Sequence, residues 1–349
     1  MGAYEPQLGI RILSTLGPAS LKPGVIRGLE QRGVDLFRVN LSHTALGAVE
    51  DTIRLVQAHS GVPICLDTEG AQVRCGIVAP GVTLTAGEPV RLTADKVVGT
   101  AAELTLRPPC VFRAMQPGAA VSIDFDGALL RVTKVGDGWA TAVVTEGGRV
   151  KSNRAVSLDP APSLPALTNK DRRALEVGER CGIEHFALSF AGSAADVALL
   201  RGLVPPRSHV MAKIESRAGV ANRDEIIQAA DAIIIDRGDL SREIPLEFVP
   251  FYQKAIVRRA NRWNTPVFVA TNLLESMVTH RRATVAEVND IANTLLDGVH
   301  GLVLAAETAI GIDPLGAVDV VRRSIRAFEQ TSSAALLDED RWPVVVAVG

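Results

Sequence analysis

Val210-Met211-Ala212-Lys213-Ile214-Glu215 is followed by a helical stretch over residues 219–229 and then by Ala232-Ile233-Ile234-Ile235-Asp236-Arg237-Gly238-Asp239. Each apolar run reads as a buried strand, with its polar residues held back to the end. Side chains alternate faces along a strand, so Lys213 and Glu215 point the same way. Two such strands joined by a helix make a parallel β/α unit with its charge at the strand C-termini. Acids and a lysine at neighbouring strand ends suit a divalent metal and an anionic substrate; a surface salt-bridge network is the other reading of the same residues.

The alternation extends in both directions. Downstream of Pro165 the patterns predict helix 170–182, strand 184–190, helix 193–203, strand 208–215, helix 219–229, strand 231–236, helix 246–263, strand 266–270, helix 284–297, strand 300–305 and a last helix over 314–330. Upstream, strands are expected at 10–15, 34–40 and 62–67, with a helix over 45–59. The turn Leu16-Gly17-Pro18-Ala19-Ser20 offers Ser20 as an N-cap for the helix after it. Eight β/α units argue for a TIM (β/α)8 barrel, with a doubly wound open sheet as the alternative. The polar clusters (Arg38, Asn40, Ser42 and His43; Asp67, Thr68 and Glu69; Lys213 and Glu215; Asp236 and Asp239) all fall at strand ends, where a barrel builds its site.

Between about residues 71 and 159 the rhythm changes to short β-prone segments such as Val82-Thr83-Leu84-Thr85 and Leu129-Leu130-Arg131-Val132, punctuated by Gly and Pro. This reads as a small all-β domain inserted in a barrel loop. The expected organisation is a barrel from 1–70 and 158–333, an inserted β-rich lid over 71–157, and a tail over 334–349.

Composition narrows the function. Of 349 residues 47% are hydrophobic, enough for a sizeable core, and 37 basic against 39 acidic residues give a formal charge of −2. No global basic field exists to hold nucleic acid. Cys65, Cys75, Cys110 and Cys181 form no CxxC pair and no zinc spacing, which suits a reducing cytoplasm. Residues 1–8 have no apolar signal core, and no 18-residue apolar run appears, so neither secretion nor a membrane is expected.

In this order the motifs resemble those of the pyruvate kinase family. Thr15-Leu16-Gly17-Pro18-Ala19-Ser20 is similar to its opening turn, and Arg38-Val39-Asn40-Leu41-Ser42-His43 to its Arg-x-Asn-x-Ser-His segment. Asp67-Thr68-Glu69-Gly70 with Arg74 resembles Asp-Thr-Lys-Gly-Pro-Glu-x-Arg. Lys213-Ile214-Glu215 and Arg237-Gly238-Asp239-Leu240 match Lys-Ile-Glu and Arg-Gly-Asp-Leu. Ala270-Thr271-Asn272-Leu273-Leu274-Glu275-Ser276-Met277 and Glu307-Thr308-Ala309 follow in place, and Asp126-Gly127 resembles a lid turn. The likeness runs from Thr15 to about Ala327. The family places a regulatory domain where this chain stops, so the resemblance implies no effector site and puts the usual tetramer in doubt; exposed barrel helices offer a surface for a homodimer.

The resemblance implies roles. Glu215 and Asp239 hold Mg²⁺ or Mn²⁺, for which hard oxygen ligands are suited. Lys213 neutralises charge on the enolate and on the moving phosphoryl group. The Gly238 and Asp239 amides receive the substrate carboxylate, Thr271 lies beside the enol carbon, and Arg38 meets the phosphoryl group. Asn40, Ser42, Asp67 and Thr68 are similar to the family's potassium ligands. Arg74, His43, Asn40 and the Thr15–Pro18 turn lie on the nucleotide side. Structural readings stand beside these: Thr271 as a helix cap, Asn40 and Ser42 as turn residues, His43 as an ordinary hydrogen-bonded histidine.

Departures cluster near the nucleotide and cation sites. The family's lysine after Asp-Thr is Glu69, its Pro-Glu is Ala71-Gln72, its Ser-Lys-Lys-Gly is Ser152-Asn153-Arg154-Ala155, and its Gln after the threonine is Asn272. An arginine is lost at Val285. A hydroxyl and a lysine are lost at Ala305 and Ile310, and the Ala before Arg-Gly-Asp is Asp236. The enolate half is intact and the phosphate-facing charge is thinned. The expected activity is conversion of phosphoenolpyruvate and ADP to pyruvate and ATP, with potassium dependence open. A metal-dependent lyase or aldolase acting on a 2-oxo acid enolate, and a non-catalytic relative, are the competing readings.

Overall fold

A computed structural model of the chain describes residues 9–124, 127–162 and 164–332. The N-terminal residues 1–8, Asp126 of the Asp-Gly turn and the tail expected over 334–349 lie outside the described residues. Two compact units divide the chain after Glu69 and after Pro165, the first resuming at Ala166.

The first unit is a closed, all-parallel barrel. Its strands are β1 (Arg11–Leu16), β2 (Leu36–Asn40), β3 (Ile64–Asp67), β4 (His185–Leu188), β5 (His209–Ile214), β6 (Ala232–Asp236), β7 (Val267–Ala270) and β8 (Gly301–Leu304). Each pairs with its neighbours in sequence, and β1 closes the ring on β8, with Arg11 beside Gly301 and Leu13 beside Val303. Both faces of every strand are covered, which is why the runs are continuously apolar. In β6, Ala232 and Ile234 join Leu13, Met211 and Phe268 inside the barrel, while Ile233 and Ile235 pack outward among the helices.

The helices start where side chains can satisfy unpaired amides. Thr168 and Asp171 form a reciprocal capping box for helix Asn169–Arg180, as Thr284 and Glu287 do for Val285–Leu296. Gly178 lets the first of these lie close on the sheet, since a Cβ there would stand 2.6 Å from Leu66 Cδ1. Two local expectations are corrected. Ser20 does not cap a helix: Lys22 is the N-cap of Pro23–Gln31, and the Ser20 hydroxyl accepts from the Gly17 amide inside the turn. The helix expected over 219–229 is two short ones, Arg217–Ala221 and Arg223–Ala229, which break at Asn222.

Asp171 has a second task. Its Oδ1 accepts from the Glu69 amide at 2.6 Å, while Lys170 Nζ stands 3.2 Å from Glu69 Oε2 and donates to the Leu41 carbonyl. The chain leaving β3 and the chain entering helix Asn169–Arg180 are thereby tied together within the barrel unit.

The second unit is all β. A seven-stranded sheet runs in the order Val156–Asp159, Ala120–Ile123, Ala128–Gly136, Trp139–Glu146, Pro89–Thr93, Glu103–Arg107, Arg74–Cys75, with a two-stranded ladder of Gly148–Arg149 on Thr83–Leu84. Its core is its own, built on Leu92, Leu104, Val121, Leu130 and Ala142.

At the N-terminal end of the barrel His185 and His209 are register partners with ring centroids 5.6 Å apart, and His300 precedes β8. Burial is the largest cause holding all three below the ordinary histidine value of 6.5, and Arg11 adds repulsion. The unfolded chain therefore takes up these protons first as pH falls, so the native state loses stability below pH 6.5. Thermal melts should show Tm falling from pH 7 to pH 5, and a His185→Gln/His209→Gln variant should lose less over the same interval.

Candidate active site

Lys213, on β5, points into the C-terminal mouth of the barrel and is 4% exposed. Its Nζ is 3.1 Å from Glu215 Oε2, 3.5 Å from Asp67 Oδ2 and 3.5 Å from Asp236 Oδ2, and it donates to Ser189 Oγ at 3.2 Å. Four strand ends, those of β3, β4, β5 and β6, thus meet on one ammonium group. Burial works against its charge, but Asp67, Glu215 and Asp236 outweigh that and hold Lys213 above its ordinary value.

Arg38, at the end of β2, is the second buried cation. Its Nε and Nη2 hold Asp67 Oδ2 at 2.7 and 2.6 Å, and its Nη1 donates to Thr15 Oγ1 at 3.0 Å. The same balance applies: burial opposes the charge, and Asp67 and Asp236 more than restore it.

The carboxylates outnumber these cations. Glu215, Asp236 and Asp239 each present an oxygen within 4.8 Å of the others. Glu215 is fully buried; its Oε1 accepts from the Phe190 amide at 2.7 Å, but its Oε2, though near Lys213, accepts no hydrogen bond. Burial pushes Glu215 up to about 8; Lys213 pulls the other way, and Asp239 and Asp236 add to the rise. Burial also raises Asp239, helped by Asp236, even though Arg242 Nη1 lies 2.9 Å from Asp239 Oδ1 at the rim. A buried oxygen that meets the Lys213 ammonium but accepts no hydrogen bond, among three converging carboxylates, fits a hard divalent cation such as Mg²⁺ or Mn²⁺.

Thr271 follows β7 with φ +69°, and Asn272 has φ +54°. Two consecutive non-glycine residues in the left-handed region store strain, and for a β-branched threonine the cost is larger. Arg237 holds this turn by donating from Nε and Nη2 to the Thr271 carbonyl at 3.1 and 2.8 Å, with Nη1 on Asp290. The Thr271 hydroxyl does not cap the helix that follows it in the chain. It accepts from the Gly238 amide at 2.7 Å and shares its proton between Asp236 Oδ1 (3.0 Å) and the Ala270 carbonyl (2.6 Å). The Asp239 amide, in turn, lies 3.4 Å from Asp236 Oδ1. Both amides assigned to a substrate carboxylate thus carry internal partners.

The other sequence-assigned residues separate. Asp67 and Thr68 are buried at the end of β3, where the Ser189 hydroxyl reaches Asp67 Oδ1 at 3.2 Å and the Thr68 carbonyl at 2.7 Å. Asn40 Oδ1 accepts from the Ser42 amide at 2.9 Å, a turn-forming contact. His43 is exposed. Arg74 belongs to the β unit, where it donates to the Asn153 carbonyl and to Gln72 Oε1. Two participants were not singled out from sequence. Ser189 had a signal, a polar residue just past an apolar strand. Glu307 had its place in the Glu-Thr-Ala motif; it is buried and accepts from the amides of Leu274 and Ala305 at 3.1 and 2.7 Å.

Comparison with known proteins finds relatives over most of the chain. The family described as pyruvate kinase, barrel domain, matches residues 9–318. A pyruvate kinase of Methylorubrum extorquens is 38% identical over 345 residues, 97% of this chain and 70% of its own length. One from Mycobacterium tuberculosis is 36% identical over 339 residues, 93% of this chain and 71% of its own. The crystal structure of a pyruvate kinase from Cryptosporidium parvum superimposes with a TM-score of 0.85 at 30% identity, covering 92% of this chain and 69% of that one.

Removing one member of a buried ion pair leaves the other uncompensated. Arg38→Met should therefore lower unfolding free energy by about 3 kcal/mol, read from the urea midpoint, because Asp67 retains only the longer contact to Lys213 and the Ser189 hydroxyl.

Proposed function

The chain belongs to the pyruvate kinase family, and on that premise we propose how its barrel site carries the reaction. It is a pyruvate kinase-like phosphotransferase that takes phosphoenolpyruvate and ADP to pyruvate and ATP. The observation that carries the reading is the buried Lys213 ammonium set against Glu215, whose Oε2 accepts no hydrogen bond, with Asp239 close by.

The family works with a divalent ion and potassium. Glu215 and Asp239 would hold Mg²⁺ or Mn²⁺, which when bound would supply Lewis-acid polarisation of substrate oxygens. Asp67, Glu215 and Asp236 hold Lys213 above its ordinary value against its burial, so as an ammonium it meets negative charge as it develops on the enolate oxygen and the phosphoryl group. Arg38 is fixed by Asp67 and Thr15, and the remaining N–H groups of its planar fork are those a phosphoryl oxygen would take. Thr271, clamped by Arg237, is the residue assigned to stand beside the enol carbon that receives the proton. The Gly238 and Asp239 amides meet the substrate carboxylate only by exchanging their present acceptors, Thr271 and Asp236.

For a monovalent ion the candidate oxygens are those of Asp67, Thr68, Asn40 and Ser42, and the Ser189 hydroxyl must turn away for the first two to serve. Arg74, His43 and Asn40 remain the nucleotide-side assignments. The thinning of positive charge there is partly local, since Glu69 is matched by Lys170.

A lactate dehydrogenase-coupled assay should show pyruvate formed from phosphoenolpyruvate only with ADP present, and stripping divalent ions with EDTA should abolish it. Lys213→Met should reduce turnover by at least about a hundredfold, the scale of losing one electrostatic group at the reacting oxygens, without weakening Mn²⁺ binding. Unchanged turnover in that variant would remove Lys213 from the mechanism.

A further inference from the structure

Asp236 closes β6 and is 3% exposed, and it stands where this chain departs from the family pattern. Both of its oxygens are directed into the site. Oδ1 accepts from Thr271 Oγ1 at 3.0 Å and faces the Asp239 amide at 3.4 Å; Oδ2 lies 3.5 Å from Lys213 Nζ. A cap for the single turn Arg237–Leu240 needs one oxygen near the surface, and Ser193, Thr168 and Thr284 show that this fold caps its longer helices with hydroxyls. A carboxylate buried to this depth is more than a cap requires.

The surroundings give it a partner to serve. Asp236, Glu215 and Asp239 bring oxygens within 4.8 Å of one another, and the fully buried Glu215 Oε2 accepts no hydrogen bond. Lys213 and Arg38 are the buried cations within reach, and Arg38 is committed to Asp67. Four carboxylates, Asp67, Glu215, Asp236 and Asp239, therefore face two buried cations and one rim arginine, Arg242. An oxygen donor set with surplus negative charge matches a divalent ion, and affinity for such ions rises with the number of charged ligands.

We propose that Asp236 is a third protein ligand of the divalent cation, added to Glu215 and Asp239, so that the chain holds the ion before any substrate arrives. The proposal rests on the metal site of the preceding reading, not on its phosphotransfer step. With two acidic ligands, water and substrate oxygens fill the rest of the shell; a third carboxylate raises the affinity of the protein alone for the ion.

The test is Mn²⁺ titration of the EDTA-treated full chain without substrate, by calorimetry and by the electron paramagnetic resonance signal of free Mn²⁺. Three variants are compared with wild type: Asp236→Ala, Asp236→Asn and Glu215→Gln. Asp236→Asn keeps an acceptor for Thr271 and the Asp239 amide, so its Tm should stay near wild type even if Asp236→Ala fails to fold. The expected result is a Mn²⁺ affinity at least about tenfold weaker in Asp236→Asn and in folded Asp236→Ala, with Glu215→Gln also weakened. Affinity within about threefold of wild type in Asp236→Asn, or no effect of Glu215→Gln, overturns the proposal. Because the titration needs no turnover, a wild type that binds Mn²⁺ through Asp236 yet makes no pyruvate from phosphoenolpyruvate and ADP would sink the phosphotransferase reading and leave this one standing.

Discussion

A lysine ammonium buried in the mouth of a barrel is affordable only if acids come with it. Lys213 is nearly inaccessible, and isolated burial of its charge would force it neutral. Asp67 from β3, Glu215 beyond β5 and Asp236 from β6 prevent this, and each must be delivered to within about one hydrogen-bond length of the same nitrogen. Eight parallel strands with their C-termini on one rim achieve it: side chains from different strands converge while the apolar residues behind them stay in the barrel interior. The same convergence creates the opposite imbalance. Once the lysine and Arg38 are compensated, carboxylate is left over, and it is this surplus that we propose a divalent cation answers.

The strained turn after β7 belongs to this arrangement. Thr271 sits at positive φ, a conformation a β-branched residue avoids, and Arg237 holds it by two hydrogen bonds to its carbonyl while anchoring on Asp290. The hydroxyl is thereby held between the Ala270 carbonyl at the end of the strand, Asp236 and the start of the Arg237–Leu240 turn.

Much of this was legible in the residue order. Period-two placement put Lys213 and Glu215 on one face, and the retreat of polar residues to strand ends located the rim of the site. What could not be read was which strand ends meet. The pairing of Arg38 with Asp67 and Thr15, and the bridging of β3 and β4 by Ser189, depend on barrel closure across long sequence separations. Short-range chemistry misled in one place: Ser20 satisfies the rule for an N-cap, but the turn claimed its hydroxyl before a helix could. Asn40 and Ser42 belong to the polar cluster that closes β2, yet Asn40 folds back on the Ser42 amide.

The knot of Asp171, Lys170 and Glu69 has an architectural meaning. It staples the two stretches of barrel chain that flank the β insertion, adding to the direct pairing of β3 with β4 a second tie made by barrel residues. The polymer entropy of joining those stretches does not have to be recovered by the inserted segment, which carries a separate apolar centre. An insertion attached in this way is a detachable graft: it can be lengthened, trimmed or exchanged over evolutionary time without unravelling the ring to which it is tied.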